Sequence, residues 1–359
     1  MASYTIRMAD SVRKRTPSYT VKWAYDYGVL LKGMAAVWQK TKDGKYFQYI
    51  KGGMDYFIGE DGSIRFYHPD AYSLDNINNG KILLWLYRET GDERYRKAAD
   101  LLWAQLQEQP RTSEGAFWHK KCYPSQIWLD GLYMASPFYA QYAQMFGKPE
   151  AVEDVVRQFR VCEKHLRDAK TGLLYHAWDE SRTQFWCDPK TGLSRNFWGR
   201  SMGWYIMALA DALDYIPEGS GARPELIGYF RSAAEALLKV RDRASGVWYQ
   251  VLDQGGRKGN YREASVSCMV CYAVEKGARK GYLPAEYRSL AGEIFRDITK
   301  EFLEETPDGL LNLNRVCRVA GLGGKDRRDG SYGYYIGEPT AANDFKGVGP
   351  FLMAGAEIE

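Results

Sequence analysis

The chain has 359 residues, 45% of them hydrophobic, enough to bury a large core either in one closed architecture or in two ordinary domains. Lys and Arg number 49 against 45 Asp and Glu, and this net charge of +4 is scattered along the chain, which argues against an extended nucleic-acid surface and leaves a small acidic ligand compatible. The first twenty residues, broken by Arg7, Asp10, Arg13, Lys14 and Arg15, hold no signal-peptide core, and no apolar run is long enough to span a bilayer, so the chain reads as soluble and cytoplasmic.

Helical periodicity predicts helices over Val21–Gln39, Tyr46–Phe57, Ile77–Glu89, Glu93–Gln107, Leu129–Met145, Ala151–Leu166, Met202–Ile216, Pro224–Val240, Ala264–Lys280, Pro284–Phe302 and Phe345–Ile358. They come in pairs joined by short turns such as Lys42-Asp43-Gly44-Lys45, Thr90-Gly91-Asp92-Glu93 and Phe146-Gly147-Lys148-Pro149. Between pairs a glycine followed by apolar or aromatic residues recurs: Gly62 before Ser63-Ile64, Gly115 before Ala116-Phe117-Trp118, Gly172 before Leu173-Leu174-Tyr175, Gly246 before Val247-Trp248-Tyr249, and Gly309 before Leu310-Leu311. Each reads as a long loop carrying a brief strand or hairpin. A helix, turn, helix, long-loop unit repeated about six times, with no linker dividing it, predicts an all-α (α/α)6 barrel with short strands in the inter-hairpin loops, one domain over residues 1–359. The long loops would all open at one end.

Candidate site residues fall in or beside those loops. Asp75 follows an apolar residue just before a helix-like stretch, where it serves equally as a helix cap. His119 and His176 occupy equivalent places in two repeats, each just after the Gly-aromatic unit. Asp130 sits inside the apolar and aromatic run Ile127-Trp128-Leu129-Asp130-Gly131-Leu132-Tyr133-Met134, a setting that disfavours a charged carboxylate and suits a proton donor. Arg200 lies between Trp198 and Trp204, where a guanidinium can fork onto a carboxylate while an indole stacks on a sugar ring. His68 reads as a turn residue, and His165 sits on an amphipathic helix with no special company.

The six cysteines are spread widely, as suits reduced thiols, and the lone C-x-x-C pair, Cys268 and Cys271, lies in an apolar stretch that favours core packing over metal. No metal and no cofactor are expected. No G-x-S-x-G, P-loop or dinucleotide fingerprint occurs. Aromatic residues make up 14% of the chain, and aromatic faces commonly line carbohydrate clefts as well as cores. The residues alone thus point to a carbohydrate-active enzyme with paired aspartates and an acidic sugar substrate.

The segments Ser73-Leu74-Asp75-Asn76, Trp118-His119, Trp128-Leu129-Asp130-Gly131-Leu132-Tyr133-Met134, Leu174-Tyr175-His176, Trp198-Gly199-Arg200-Ser201-Met202-Gly203-Trp204 and Asn343-Asp344-Phe345-Lys346-Gly347-Val348-Gly349-Pro350-Phe351 run in order over almost the whole chain. Together they resemble the unsaturated rhamnogalacturonyl hydrolases of glycoside hydrolase family 105. The unsaturated glucuronyl hydrolases of family 88 are similar, but they usually carry Gly where Ser201 stands here. The resemblance implies an (α/α)6 barrel and a small oligosaccharide substrate ending in a 4,5-unsaturated uronic acid. It also implies hydration of the vinyl ether double bond rather than displacement at the anomeric carbon. Asp130 matches the general acid/base, and Asp75 matches a second active-site aspartate that orients substrate or supports positive charge. His119 and His176 match substrate contacts, Arg200 and Trp204 match residues near the uronate, and Trp128 and Trp198 would supply stacking walls. Lys346 stays outside the site as a structural residue.

Two rival readings remain at this level. A sugar epimerase on the same fold would use a histidine pair, for which His119 and His176 qualify. In a non-catalytic helical-repeat scaffold the aspartates would be caps and the aromatics core. Monomer and homodimer are both compatible with the sequence.

Overall fold

The structure is a computed structural model that describes residues 3–16 and 22–359. Among the described residues it holds thirteen α-helices and six short strands. In chain order these are α1 (Tyr4–Arg15), α2 (Tyr25–Thr41), α3 (Gly44–Asp55), α4 (Gly80–Thr90), α5 (Glu93–Glu108), β1 (Gln126–Trp128), α6 (Leu129–Met145), α7 (Glu150–Leu166), β2 (Ala177–Asp179) and α8 (Gly199–Ala212). There follow α9 (Arg223–Lys239), α10 (Ala264–Arg279), α11 (Tyr287–Phe302), β3 (Leu303–Glu305), β4 (Leu311–Leu313), β5 (Val316–Cys317), α12 (Tyr332–Gly337), β6 (Thr340–Ala341) and α13 (Phe345–Ile358).

The hairpin turns are built from local chemistry. Helix α2 ends on Lys42 in the left-handed region, and the next residue, Asp43, caps α3 by accepting from the Lys45 amide. The same device recurs where Gly91 ends α4 and Asp92 caps α5 through the Arg94 amide. A left-handed residue stops one helix and an acidic cap starts the next within two positions.

Packing arranges the helices as two concentric rings. Helix α2 packs on α4, α4 on α6, α6 on α8, α8 on α10, α10 on α13, and α13 back on α2, closing an inner ring. Outside it, α3, α5, α7, α9 and α11 each pack against the inner helix that precedes them, while α1 packs against α13. The first and last helices of the chain thus form the sixth hairpin of a closed (α/α)6 barrel. Inner and outer helices differ accordingly: every residue of α8 is buried, whereas α7 buries one stripe that includes Val155, Phe159, Cys162 and Leu166. Cys268 and Cys271 are buried in α10.

The structure adds α1, which the sequence reading leaves without a helix, and corrects several boundaries. Val21, where that reading starts its first helix, lies outside the described residues; α2 runs from Tyr25. Residues Leu74–Ile77 form a 3-10 turn and α4 begins only at Gly80. Helix α8 starts at Gly199, three residues ahead of Met202, so Arg200 belongs to its first turn.

The repeated glycines explain the loops. Gly62, Gly115, Gly172, Gly246 and Gly309 all adopt φ between +73° and +87°, a region costly to residues with a Cβ. Each closes a tight reversal by donating its amide three or four residues back, as Gly172 does to Asp168 at 2.8 Å and Gly309 to Thr306 at 2.8 Å. The reversals bring short segments together at Ile58 and Ile64, Arg111 and Phe117, Arg167 and Leu174, and the β3–β4 ladder.

Candidate active site

The inner helices start at one mouth of the barrel, and a recurring backbone hydrogen bond ties the entry to four of them, α4, α6, α8 and α10, to the loop that follows the next reversal. The Leu74 amide donates to the His119 carbonyl at 3.0 Å and the Leu129 amide to the His176 carbonyl at 3.1 Å. The Gly199 amide likewise donates to Gln250 at 2.8 Å and the Ala264 amide to Arg315 at 3.1 Å. Because Asp75, Asp130 and Arg200 each follow the donor residue, one repeated contact carries them to the same mouth and sets His119, His176 and Gln250 beside them. The antiparallel register of β1 and β2, with Trp128 opposite Ala177, fixes the Asp130–His176 member of this series.

Two carboxylate–imidazole pairs result. Asp75 Oδ1 lies 3.6 Å from His119 Nε2, and its Oδ2 lies 2.5 Å from Lys120 Nζ. Burial alone would raise the Asp75 carboxyl, but Lys120 and His119 outweigh it and hold the group below its usual range. His119 is pushed down to about 4 by burial, with Asp75 opposing, so it is neutral at physiological pH. Its Nδ1 is buried without a hydrogen-bond partner among the described residues.

Asp130 occupies the second position of α6 with its side chain 14% exposed, and its Oδ2 lies 3.2 Å from His176 Nε2. Both atoms are buried and have no hydrogen-bond partner among the described residues. His176 is fully buried, and its Nδ1 shares a 2.7 Å hydrogen bond with the Tyr335 hydroxyl. When the proton sits on Nε2, facing Asp130, Nδ1 accepts from Tyr335.

Aromatic rings frame the pairs. Trp128 stacks on His119 at 4.6 Å and on Tyr123 at 4.9 Å, and turns an edge to His176 at 5.3 Å. Trp198 lies 4.7 Å from His176, stacks on Tyr335 at 6.0 Å, and donates its indole N–H to Gln250 at 3.1 Å. The Arg200 guanidinium lies 4.8 Å from the Trp198 ring and donates to the Cys317 carbonyl, while its Nε is buried with no partner among the described residues. Trp204 sits one layer deeper, fully buried, stacked on Tyr133 at 4.9 Å and edge-on to Tyr25 at 6.3 Å. Asp75, His119, Asp130, His176, Trp128, Trp198 and Arg200 therefore surround the mouth, and Trp204 forms part of its floor.

Four members of the cluster were not singled out in the sequence. The Tyr25 phenol is pushed well above its usual range by burial; Arg200 opposes this, and Asp75, Asp26 and Asp130 add to it, so its hydroxyl stays protonated among the charged groups of the mouth. Lys120 pairs with Asp75, Tyr335 backs His176, and Gln250 takes the third place in the series of His119 and His176. For Lys120 and Gln250 a signal existed, adjacency to His119 and position after the Gly246 unit. Tyr25 opens α2 and Tyr335 lies in the short helix α12, with no motif around either. His165 also has company that the sequence did not show: it stacks on Trp178 at 3.8 Å and pairs with Glu114 at 2.6 Å, away from this cluster.

A closed ring of six helical hairpins with carboxylate–imidazole pairs and aromatic walls at one mouth defines a glycosidase of the helical-toroid type. Comparison with known proteins gives the family. The model of Glycosyl Hydrolase Family 88 matches residues 1–359, and the chain belongs to that family. A solved family 105 glycoside hydrolase from Clostridium acetobutylicum, described as C. acetobutylicum ATCC 824, is 53% identical, with TM-score 0.98 and 99% of each chain covered. The unsaturated rhamnogalacturonyl hydrolase YesR of Bacillus subtilis is 30% identical over 317 residues, 87% of this chain and 83% of that protein. The unsaturated glucuronyl hydrolase of Bacillus sp. GL1 shares the fold, with TM-score 0.72 at 16% identity over 99% of this chain and 95% of its own. No helix among the described residues is long and apolar enough to cross a membrane.

Proposed function

We propose that this glycosidase removes a 4,5-unsaturated uronic acid from the non-reducing end of small oligosaccharides left by a polysaccharide lyase, with unsaturated rhamnogalacturonan fragments as the preferred class. The observation that carries this reading is the Asp130–His176 pair, a poorly solvated carboxylate 3.2 Å from an imidazole and free of other partners, in a chain of this family. The rhamnogalacturonan side of the proposal rests on the likeness to the B. subtilis enzyme.

In this mechanism Asp130 gives its proton to C4, the C4=C5 π bond becomes the new C4–H bond, and positive charge spreads over C5 and the ring oxygen. Asp130, now a carboxylate, takes a proton from water as the oxygen bonds to C5. The resulting hemiketal opens at the C5–O5 bond, and the hemiacetal left at C1 expels the neighbouring sugar as an alcohol. One water is consumed, and the products are that alcohol and an open-chain keto acid with an aldehyde. Neither carboxylate becomes a covalent nucleophile, in contrast to retaining glycosidases. Asp75, kept ionised against burial by Lys120, supports the developing charge. His119 and His176 hold substrate hydroxyls, the orphan Arg200 Nε and the Tyr25 hydroxyl face the uronate, and Trp128 and Trp198 present ring faces with Trp204 beneath. The enzyme acts as a soluble cytoplasmic catalytic domain, a monomer or homodimer, without metal or cofactor.

The test is a comparison of kcat/KM on lyase digests of rhamnogalacturonan I, glycosaminoglycan and ulvan, followed by loss of the ultraviolet absorbance of the unsaturated uronate. Preference for the first digest supports the rhamnogalacturonyl reading. Preference for another moves the substrate within the same reaction, and turnover of none would sink it.

A further inference from the structure

A cavity of about 440 Å³ lies inside the inner ring at the mouth opposite the candidate active site. Its lining includes six cations, Lys32, Lys81, Arg88, Lys276, Arg279 and Lys280. Three carboxylates, Asp211, Asp214 and Glu357, line it with them, and Arg88 pairs with Glu89 at 3.1 Å beside it.

The pairing inside the cavity is uneven. Asp211 bridges Lys32 and Lys276, Asp214 bridges Lys276 and Lys280, and Glu357 takes Arg279. Lys81 has no carboxylate within ion-pair distance among the described residues that line the cavity. It is 6% exposed, its ammonium donates to the Tyr133 carbonyl at 2.9 Å, and it lies 3.5 Å from the centre of the Tyr133 ring. One carbonyl fills one of three donors. Gln141, 5% exposed, also lines the cavity, and its amide makes no hydrogen bond among the described residues.

Ordinary structural roles account for part of this set. Arg88, Lys276 and Arg279 lie in the last turns of α4 and α10, where cations balance the negative ends of helices. Lys81 is the second residue of α4, at the positive end of its helix, where that balance works against it. A buried cation so placed, without a counter-ion, is costly unless an anion joins it. Burial first, and Lys32 next, push the Lys81 ammonium well down, with Asp211 opposing. A bound anion reverses that bias.

We infer that this cavity is a second ligand site, which takes a small oxyanion, a carboxylate or a phosphate, against the ammonium of Lys81 and the amide of Gln141. Trp85, Tyr272 and Pro137 give it apolar wall enough for an organic acid of monosaccharide size. The floor that separates it from the candidate active site is the stacked pair Tyr133 and Trp204, so an occupant sits directly behind the rings beneath the catalytic mouth.

The experiment is calorimetric titration of the full chain with inorganic phosphate and, separately, with galacturonate at constant ionic strength, on the wild type, Lys81→Met and Arg279→Gln. The expected result is one saturable site in the wild type for at least one anion, weakened about tenfold or more in Lys81→Met and by a smaller factor in Arg279→Gln. Response to phosphate alone identifies a phosphate site, and response to galacturonate alone a carboxylate site. Should Lys81→Met fail to fold, Arg279→Gln and Lys280→Gln together carry the comparison. No binding of either anion, or equal affinity in wild type and variants, overturns the inference; the second outcome for galacturonate would place it at the catalytic mouth.

Discussion

His119 shows how the candidate site taxes the fold. Held at about 4 by burial, it stays neutral in the folded chain while the unfolded chain takes up a proton below the ordinary value of 6.5. Its stabilising neutrality is complete above about pH 6.5 and is lost as pH falls from there toward 4, by about 3 kcal/mol in all. Asp75, whose carboxyl is depressed, loses stability in the same direction but lower, below its ordinary value of 3.8. Urea midpoints between pH 7.5 and 4.5 should therefore fall more steeply for the wild type than for His119→Gln; parallel curves would contradict the assignment. At this scale the sequence showed the groups that recur with the repeat, since Asp75 and Asp130, like His119 and His176, sit at equivalent offsets. It did not show Tyr25 or Tyr335, which reach the same mouth only through ring closure and the short helix α12.

Close helix packing leaves a sharp test at the element scale. A Cβ on Gly349 would stand 2.4 Å from the Val29 carbonyl oxygen, and one on Gly33 would stand 2.6 Å from the Gly349 oxygen, so α2 and α13 meet backbone to backbone. Gly349→Ala should cost about 1–3 kcal/mol or more in chemical denaturation, because neither backbone can yield cheaply. Gly44, at the start of α3, has open space around its missing Cβ, and Gly44→Ala should be neutral or slightly stabilising. Similar losses in both variants would mean that the α2–α13 seam is looser than described. Helices α5, α6, α7 and α10 were legible because their apolar periodicity is long, and Asp92 before α5 and Gly147 between α6 and α7 mark ends. Helix α1 was not: it buries Thr5 and Ser11 alongside Met8, Ala9 and Val12, and these two polar side chains bond to the far end of the chain. Thr5 donates to Glu359, and Ser11 accepts from the Leu311 amide, partners no local pattern can reveal.

For the whole molecule, ring closure is the feature that makes function follow from repetition. Six helical hairpins give six equivalent starts at one mouth, and one recurring amide-to-carbonyl bond sets a loop residue beside four of them. The repeat in the sequence made the barrel legible, but not that α1 and α13 would meet to close it, because that contact joins the two ends of the chain. Closure also divides the axis into the mouth of the candidate active site and an opposite cationic cavity, with Tyr133 and Trp204 between them.

The central claim is that Asp130 drives hydration of an unsaturated uronate. The most direct measurement is the ultraviolet absorbance of lyase-digested rhamnogalacturonan I after addition of wild type or Asp130→Asn, with circular dichroism confirming that both are folded. The account predicts loss of absorbance with the wild type and a rate lower by about 10²–10⁴-fold in the variant. Release of the neighbouring sugar with the absorbance retained, or undiminished activity in Asp130→Asn, would contradict it.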